Sequence, residues 1–213
     1  MKIEIANVTK RIRKALILDN VNLTFESGHV YGLYGPNGSG KTMLIRLIAG
    51  LILPTSGTVT LDGRGMGEDM DFYESMGVLI ETPSFLPGLT GLQNLRLLAQ
   101  LRKRIDESAI CQALRDVGLE PGDKRKFRKY SLGMKQRLGI AAAIMEKPDI
   151  ILLDEPTNAL DQDGIAQICR LIHREKERGA LTVLACHEIE VLKAVCDEII
   201  LVSEGRFQKG AQP

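Results

Sequence analysis

Eight residues, Gly35 to Thr42, read GPNGSGKT and fit the pattern G-x-x-x-x-G-K-[ST] in full. Glycines let successive backbone N–H groups turn inward around phosphate oxygens, and the helix that follows adds positive potential at its start. Gly35, Pro36, Asn37, Gly38, Ser39 and Gly40 would form the wall of such a cradle. Lys41 is placed to reach the outer two phosphates of a chain of three, and the Thr42 hydroxyl is a hard oxygen ligand suited to Mg2+. The chemistry on offer is the gripping of a nucleoside triphosphate.

A second stretch, DIILLDEP from Asp149 to Pro156, supplies carboxylates. Ile150 to Leu153 read as a buried strand, and Asp154 emerges at its end, where a carboxylate can hold the water shell of Mg2+. Glu155 follows and is expected on the opposite side, placed to accept a proton from an attacking water. Loop and strand end together make a site for cleaving a triphosphate.

The surrounding elements must bring these two stretches together. Period-2 runs at KIEIANV, VNLTF and HVYGLYG predict strands, two of them an antiparallel opening to the sheet. After the glycine loop, TMLIRLIAG has helical spacing and stops at Gly50. PTSGTVTLDG reads as turn, strand and turn, and MGVLIETP as a strand that Pro83 ends. Thr90, with Gln93 in capping-box position, begins a helix, and a second runs from about Asp106 to Val117. Ser131 stands where an N-cap belongs before LGMKQRLGIAAAIM. Then DIILLDEP, LTVLACH and DEIILVSEG alternate with helical stretches, which predicts a largely parallel, buried central sheet. The fold class is therefore α/β, a P-loop NTPase with an antiparallel β arm and an inserted α-helical subdomain. One domain spans 1–213, with a core of 1–82 and 148–213 and the helical insert at about 83–147.

The run from Tyr130 to Asp161, YSLGMKQRLGIAAAIMEKPDIILLDEPTNALD, resembles the ATP-binding cassette family. Tyr130 to Met134 occupies the place of that family's Leu-Ser-Gly-Gly-Gln signature, and Lys135, Gln136 and Arg137 match the positions that usually follow. The similarity covers nearly the whole chain in the family's order: loop, Glu81, signature, Asp154-Glu155, the NALD turn from Asn158, and His187. IETPSFLPGLTGLQNL and YSLGMKQR look like the branch of bacitracin-type and lantibiotic exporters. The resemblance implies an ATPase that dimerises head to tail around two ATP molecules, as a homodimer or with a related subunit, and drives a separate membrane-spanning permease. Each ATP would lie between one chain's Lys41 loop and the other's Ser131 and Gly133, with Asp161 across the seam and His187 on the γ-phosphate from the loop's own side. Soluble relatives in translation or DNA maintenance, and a non-hydrolysing regulator, are the competing classes.

Three departures from the family pattern stand out. Glu81 replaces the usual glutamine but can still ligate Mg2+. Leu132 and Met134 replace a glycine and a glutamine of the signature, leaving Ser131 and Gly133. Ile12, in KRIRK, falls where the family usually offers an aromatic ring to adenine. Losing that stack removes on the order of 1–3 kcal/mol, so GTP is expected to compete better here than in relatives. Nucleotide competition checks this: a hundredfold or greater preference for ATP over GTP, unaltered by Ile12→Tyr, would contradict it.

Composition narrows the remaining classes. A net charge of +1 over 213 residues leaves no electrostatic footprint for nucleic acid. The start MKIEIANVTK lacks a signal peptide's apolar region, and no apolar run approaches a membrane span. The chain is expected in the cytoplasm, peripheral on the inner face of the membrane. Cys111, Cys169, Cys186 and Cys196 show no metal-ligand spacing and read as reduced packing thiols. The basic run KRKFRK, Lys124 to Lys129, reads as a solvated loop or as a face toward anionic lipid or an acidic partner.

Overall fold

The computed structural model describes residues 1–65, 73 and 75–210. β1 (Lys2–Ile12), β2 (Ala15–Glu26) and β3 (Val30–Tyr34) lead into the glycine loop and α1 (Lys41–Ile48). β4 (Ser56–Leu61), β5 (Arg64–Gly65) and β6 (Met76–Leu79) follow. Three helices come next: α2 (Gly91–Arg102), α3 (Glu107–Asp116) and α4 (Leu132–Ile144). The chain then alternates through β7 (Ile150–Asp154), α5 (Gln162–Glu177), β8 (Leu181–Cys186) and α6 (Ile189–Val195), before β9 (Glu198–Ser203) and β10 (Arg206–Lys209).

The central sheet has the order β10-β9-β3-β8-β7-β6 and is parallel except for β10. The antiparallel strands do not open this sheet. They form a second one, β2-β1-β4-β5, in which Ile3 faces Leu61 and Ile5 faces Val59. Both edges of β3 are taken by β8 and β9, so the arm has no edge there to join and its own free edge pairs with β4 instead. β5 and β10 are additions to the expected strands. β10 arises because Glu204 and Gly205, both with positive φ, form a tight hairpin turn.

Period-2 alternation divides the core. Ile150 and Leu152 of β7 pack with Leu44 and Ile45 of α1 and with the arm, whereas Ile151 and Leu153 pack with α4, α5 and α6. Asp154 carries on the parity of Ile150 and Leu152, which sends it to the α1 face. Local signals held where they act over three or four residues. Thr90 and Gln93 exchange both hydrogen bonds of a capping box, worth about 1 kcal/mol. Asp106, Ser131 and Asp161 cap α3, α4 and α5. The basic run is anchored rather than loose: Phe127 is buried edge-on to Phe85 at 5.4 Å, beneath Lys135.

Candidate nucleotide site

The loop between β3 and α1 turns through Gly38 and Gly40, whose φ angles of 79° and 114° only glycine adopts without strain. That turn aims the start of α1 back across the end of the sheet. Lys41, 5% exposed, donates from Nζ to the carbonyls of Gly35 at 2.6 Å and Pro36 at 3.1 Å. Ser39 is buried with its hydroxyl unpartnered, and Asn37 is exposed on the loop's outer side.

Thr42 and Asp154, 112 residues apart in sequence, meet where α1 crosses the end of β7, and Thr42 Oγ1 donates to Asp154 Oδ2 at 2.7 Å. Burial pushes the Asp154 carboxyl above its ordinary range; the Thr42 hydrogen bond opposes this, and the Glu155 charge adds to it. Asp154 Oδ1 is buried without a partner. A buried carboxylate with one committed and one orphaned oxygen, beside a hydroxyl, is the hard-oxygen set that Mg2+ takes together with phosphate oxygens, so these residues fit the metal.

Glu155 does not point away from Asp154 as strand alternation predicts. β7 ends at Asp154, and Glu155 turns into the left-handed region with φ 49°. Its carboxylate thereby swings to within 3.9 Å of Lys41 Nζ through Oε1, while Oε2 accepts from His187 Nδ1 at 2.7 Å. Oε1 is buried with no hydrogen bond. With Nδ1 of His187 engaged, its Nε2 is the nitrogen left for a phosphate.

Glu81 lines the same cleft of about 240 Å³ as Asp154 and Glu155. It is bound to Arg46 on the outer side of α1. The sequence offers no sign of Arg46's part, because the two residues lie 35 apart and meet only through the fold. Such an exposed pair contributes at most about 1 kcal/mol; its effect is to hold the extra negative charge to one side of the cleft.

Ser131, Gly133 and Asp161 form a second group. Among the described residues no hydrogen bond or ion pair joins them to Gly35–Thr42. Ser131 is exposed at the start of α4, and its hydroxyl oxygen accepts from Met134 N at 3.2 Å, a bond that leaves its own proton unused. A Cβ at Gly133 would stand 2.6 Å from the Ala159 carbonyl, so only glycine lets α4 pack this close to the turn at 158–161. Asp161 Oδ1 accepts from Gly164 N and Arg137, yet its side chain is 76% exposed.

Residues 18–158 match the family described as ABC transporter. This chain belongs to the ABC transporter family. It is similar to the ABC transporter ATP-binding protein YybJ of Bacillus subtilis (strain 168), at 45% identity over 97% of this chain and 94% of that protein. The bacitracin transport ATP-binding protein BcrA of Enterococcus faecalis is 40% identical over 96% of this chain and 67% of its own length. The lantibiotic transport ATP-binding protein SrtF of Streptococcus pyogenes is 36% identical over 96% of this chain and 88% of its own. Among solved structures, the ATP-binding cassette MJ0796, dimeric and bound to ADP and Pi after hydrolysis, superposes with a TM-score of 0.88 at 27% identity, covering 99% of this chain and 98% of that one. The chain is thus an ABC transporter ATP-binding subunit and an ATP hydrolase. Among the described residues no helix is long and apolar enough to cross a membrane.

Proposed function

We propose that this ABC subunit clamps two Mg-ATP molecules within a dimer of cassettes, a homodimer or a pair with a related subunit, and thereby drives a membrane-spanning permease that exports a peptide antibiotic or similar compound. The observation that carries this reading is the convergence of Lys41, Thr42, Asp154, Glu155 and His187 on one cleft, with an oxygen of each carboxylate buried and unpartnered. Similarity to bacitracin and lantibiotic transport proteins supports the export and cargo class.

In this mechanism the amides of Gly35 to Gly40 and the Lys41 ammonium hold the β and γ phosphates. Thr42 and Asp154, with Glu81 at the cleft's edge, would hold Mg2+, which when bound neutralises charge building on the phosphate oxygens. Glu155 orients a water and takes its proton, and His187 steadies the carboxylate from Nδ1 while Nε2 meets the γ-phosphate. Ser131 and Gly133 of the second cassette complete the shell around that phosphate, with Asp161 near the seam. Closure around ATP and opening after hydrolysis supply the stroke. The helical segment of about 83–147 is the docking subdomain on a core of 1–82 and 148–213, and the subunit is peripheral on the cytoplasmic face of the membrane.

Affinity purification of the tagged chain from detergent-solubilised membranes of its own cells tests the transport reading. A polytopic membrane protein should co-purify in near-stoichiometric amount. Recovery with ribosomal or DNA-repair components and no membrane protein would favour a soluble role and overturn it.

A further inference from the structure

We propose that Gln136 is a positioning residue for Glu155, holding the base's strained backbone in place through its side-chain amide. The proposal rests on Glu155 being the base. Gln136 is only 6% exposed, and its Nε2 donates to the Glu155 carbonyl at 2.9 Å. That carbonyl also accepts from Asn158 N at 3.2 Å, while the Glu155 N–H donates to Ala185 O at 2.9 Å. Every backbone polar atom of Glu155 is therefore committed, at a residue whose φ of 49° a non-glycine side chain disfavours. Such a conformation persists only where its surroundings over-determine it.

The grip comes from one face of α4. Gly133, Gln136 and Arg137, spaced three and four apart, meet Ala159, Glu155 and Asp161 in turn. Ala159 is itself left-handed at φ 62°. The turn from Glu155 to Asp161 is thus pinned at three points to the helix that begins at Ser131. Without the Gln136 donor, the peptide after Glu155 loses the side-chain bond that opposes its relaxation toward right-handed φ. The carboxylate would then leave its place between His187 and Lys41. Because Gln136 lies just over one turn beyond Ser131, any displacement of the start of α4 also reaches the base through the same amide.

Two variants of the full chain test this: Gln136→Met, close in size with no donor, and Gln136→Glu, nearly isosteric and unable to donate when ionised. At pH 8 each should lower kcat for phosphate release about ten- to a hundredfold, with KM, ATP affinity and melting temperature close to wild type. A buried acid titrates upward of its ordinary range. As pH falls to about 6, Gln136→Glu should regain an O–H donor and close its deficit relative to wild type, whereas Gln136→Met should not. Both variants share the charged neighbours Lys41, Asp154, Glu155, Arg137 and His187, so comparing them isolates the added acid. Wild-type kcat in Gln136→Met overturns the proposal. So does a loss that merely follows melting temperature or ATP affinity, or a Gln136→Glu deficit that does not shrink at low pH. If Glu155→Gln keeps its turnover, the assignment of the base fails instead; if it loses turnover while Gln136→Met does not, only the positioning role fails.

Discussion

Glu155→Gln will reduce ATP turnover by a factor of about 100 to 10,000, the range expected for removing a positioned general base, while leaving ATP affinity within a few-fold of wild type. The geometry separates the two effects. Glu155 Oε1 is buried without a hydrogen bond and faces Lys41 at 3.9 Å, so the atom lost to proton transfer is not one that holds the loop together. Oε2 accepts from His187, and the amide that replaces it retains an oxygen able to do the same. Removing the negative charge also eases the approach of a triphosphate. The variant should therefore accumulate in the ATP-bound state, and size-exclusion chromatography should show a dimer that forms with ATP and not with ADP. Phosphate release at the wild-type rate would mean that another group takes the proton.

Lys41→Ala should fail at an earlier step. Lys41 is almost wholly buried, and its ammonium is the positive charge that the loop itself contributes to the outer phosphates. Charge-assisted hydrogen bonds of this kind contribute about 1.5–3 kcal/mol, and 1.4 kcal/mol is tenfold in affinity. Calorimetric titration should show ATP binding weakened by about ten- to a hundredfold, with ADP affected less because it lacks the γ-phosphate. The fold should survive, since the bonds lost are two from Lys41 to loop carbonyls that can turn to water. Unchanged ATP affinity with lost turnover would move Lys41 from grip to chemistry. Together the two variants divide the site: one removes the hold on the substrate, the other the step performed on it.

Arg46 and Glu81 show how a departure from a family pattern is accommodated. A third carboxylate beside Asp154 and Glu155 adds repulsion to a cleft that must take a triphosphate, and the guanidinium from α1 draws that charge aside. Glu81 also has a positive φ of 61°, so its carboxylate is presented from a bend rather than from the strand itself. Asp161 is likewise shared. Its Oδ1 is used within the chain by Gly164 and Arg137, which leaves its second oxygen on the exposed side for any contact across a dimer seam.

What the sequence determined by itself was whatever depends on spacing along the chain. Phosphate-loop glycines, the Thr90–Gln93 capping box, the caps at Asp106 and Ser131, the helix stops at Gly50 and Gly118, and the parity that sends Asp154 toward α1 all follow from interactions over a few residues. Such interactions look the same in any chain that carries them. Tertiary structure alone decided that β1 and β2 build a separate sheet with β4, because the available edge is set by how β3 is already paired. It also decided the turn of Glu155 toward Lys41, the Arg46–Glu81 pair and the amide of Gln136 beneath the base. Each depends on where a distant segment returns, and the free energy of those contacts comes from burial and from satisfying backbone groups that no local pattern encodes.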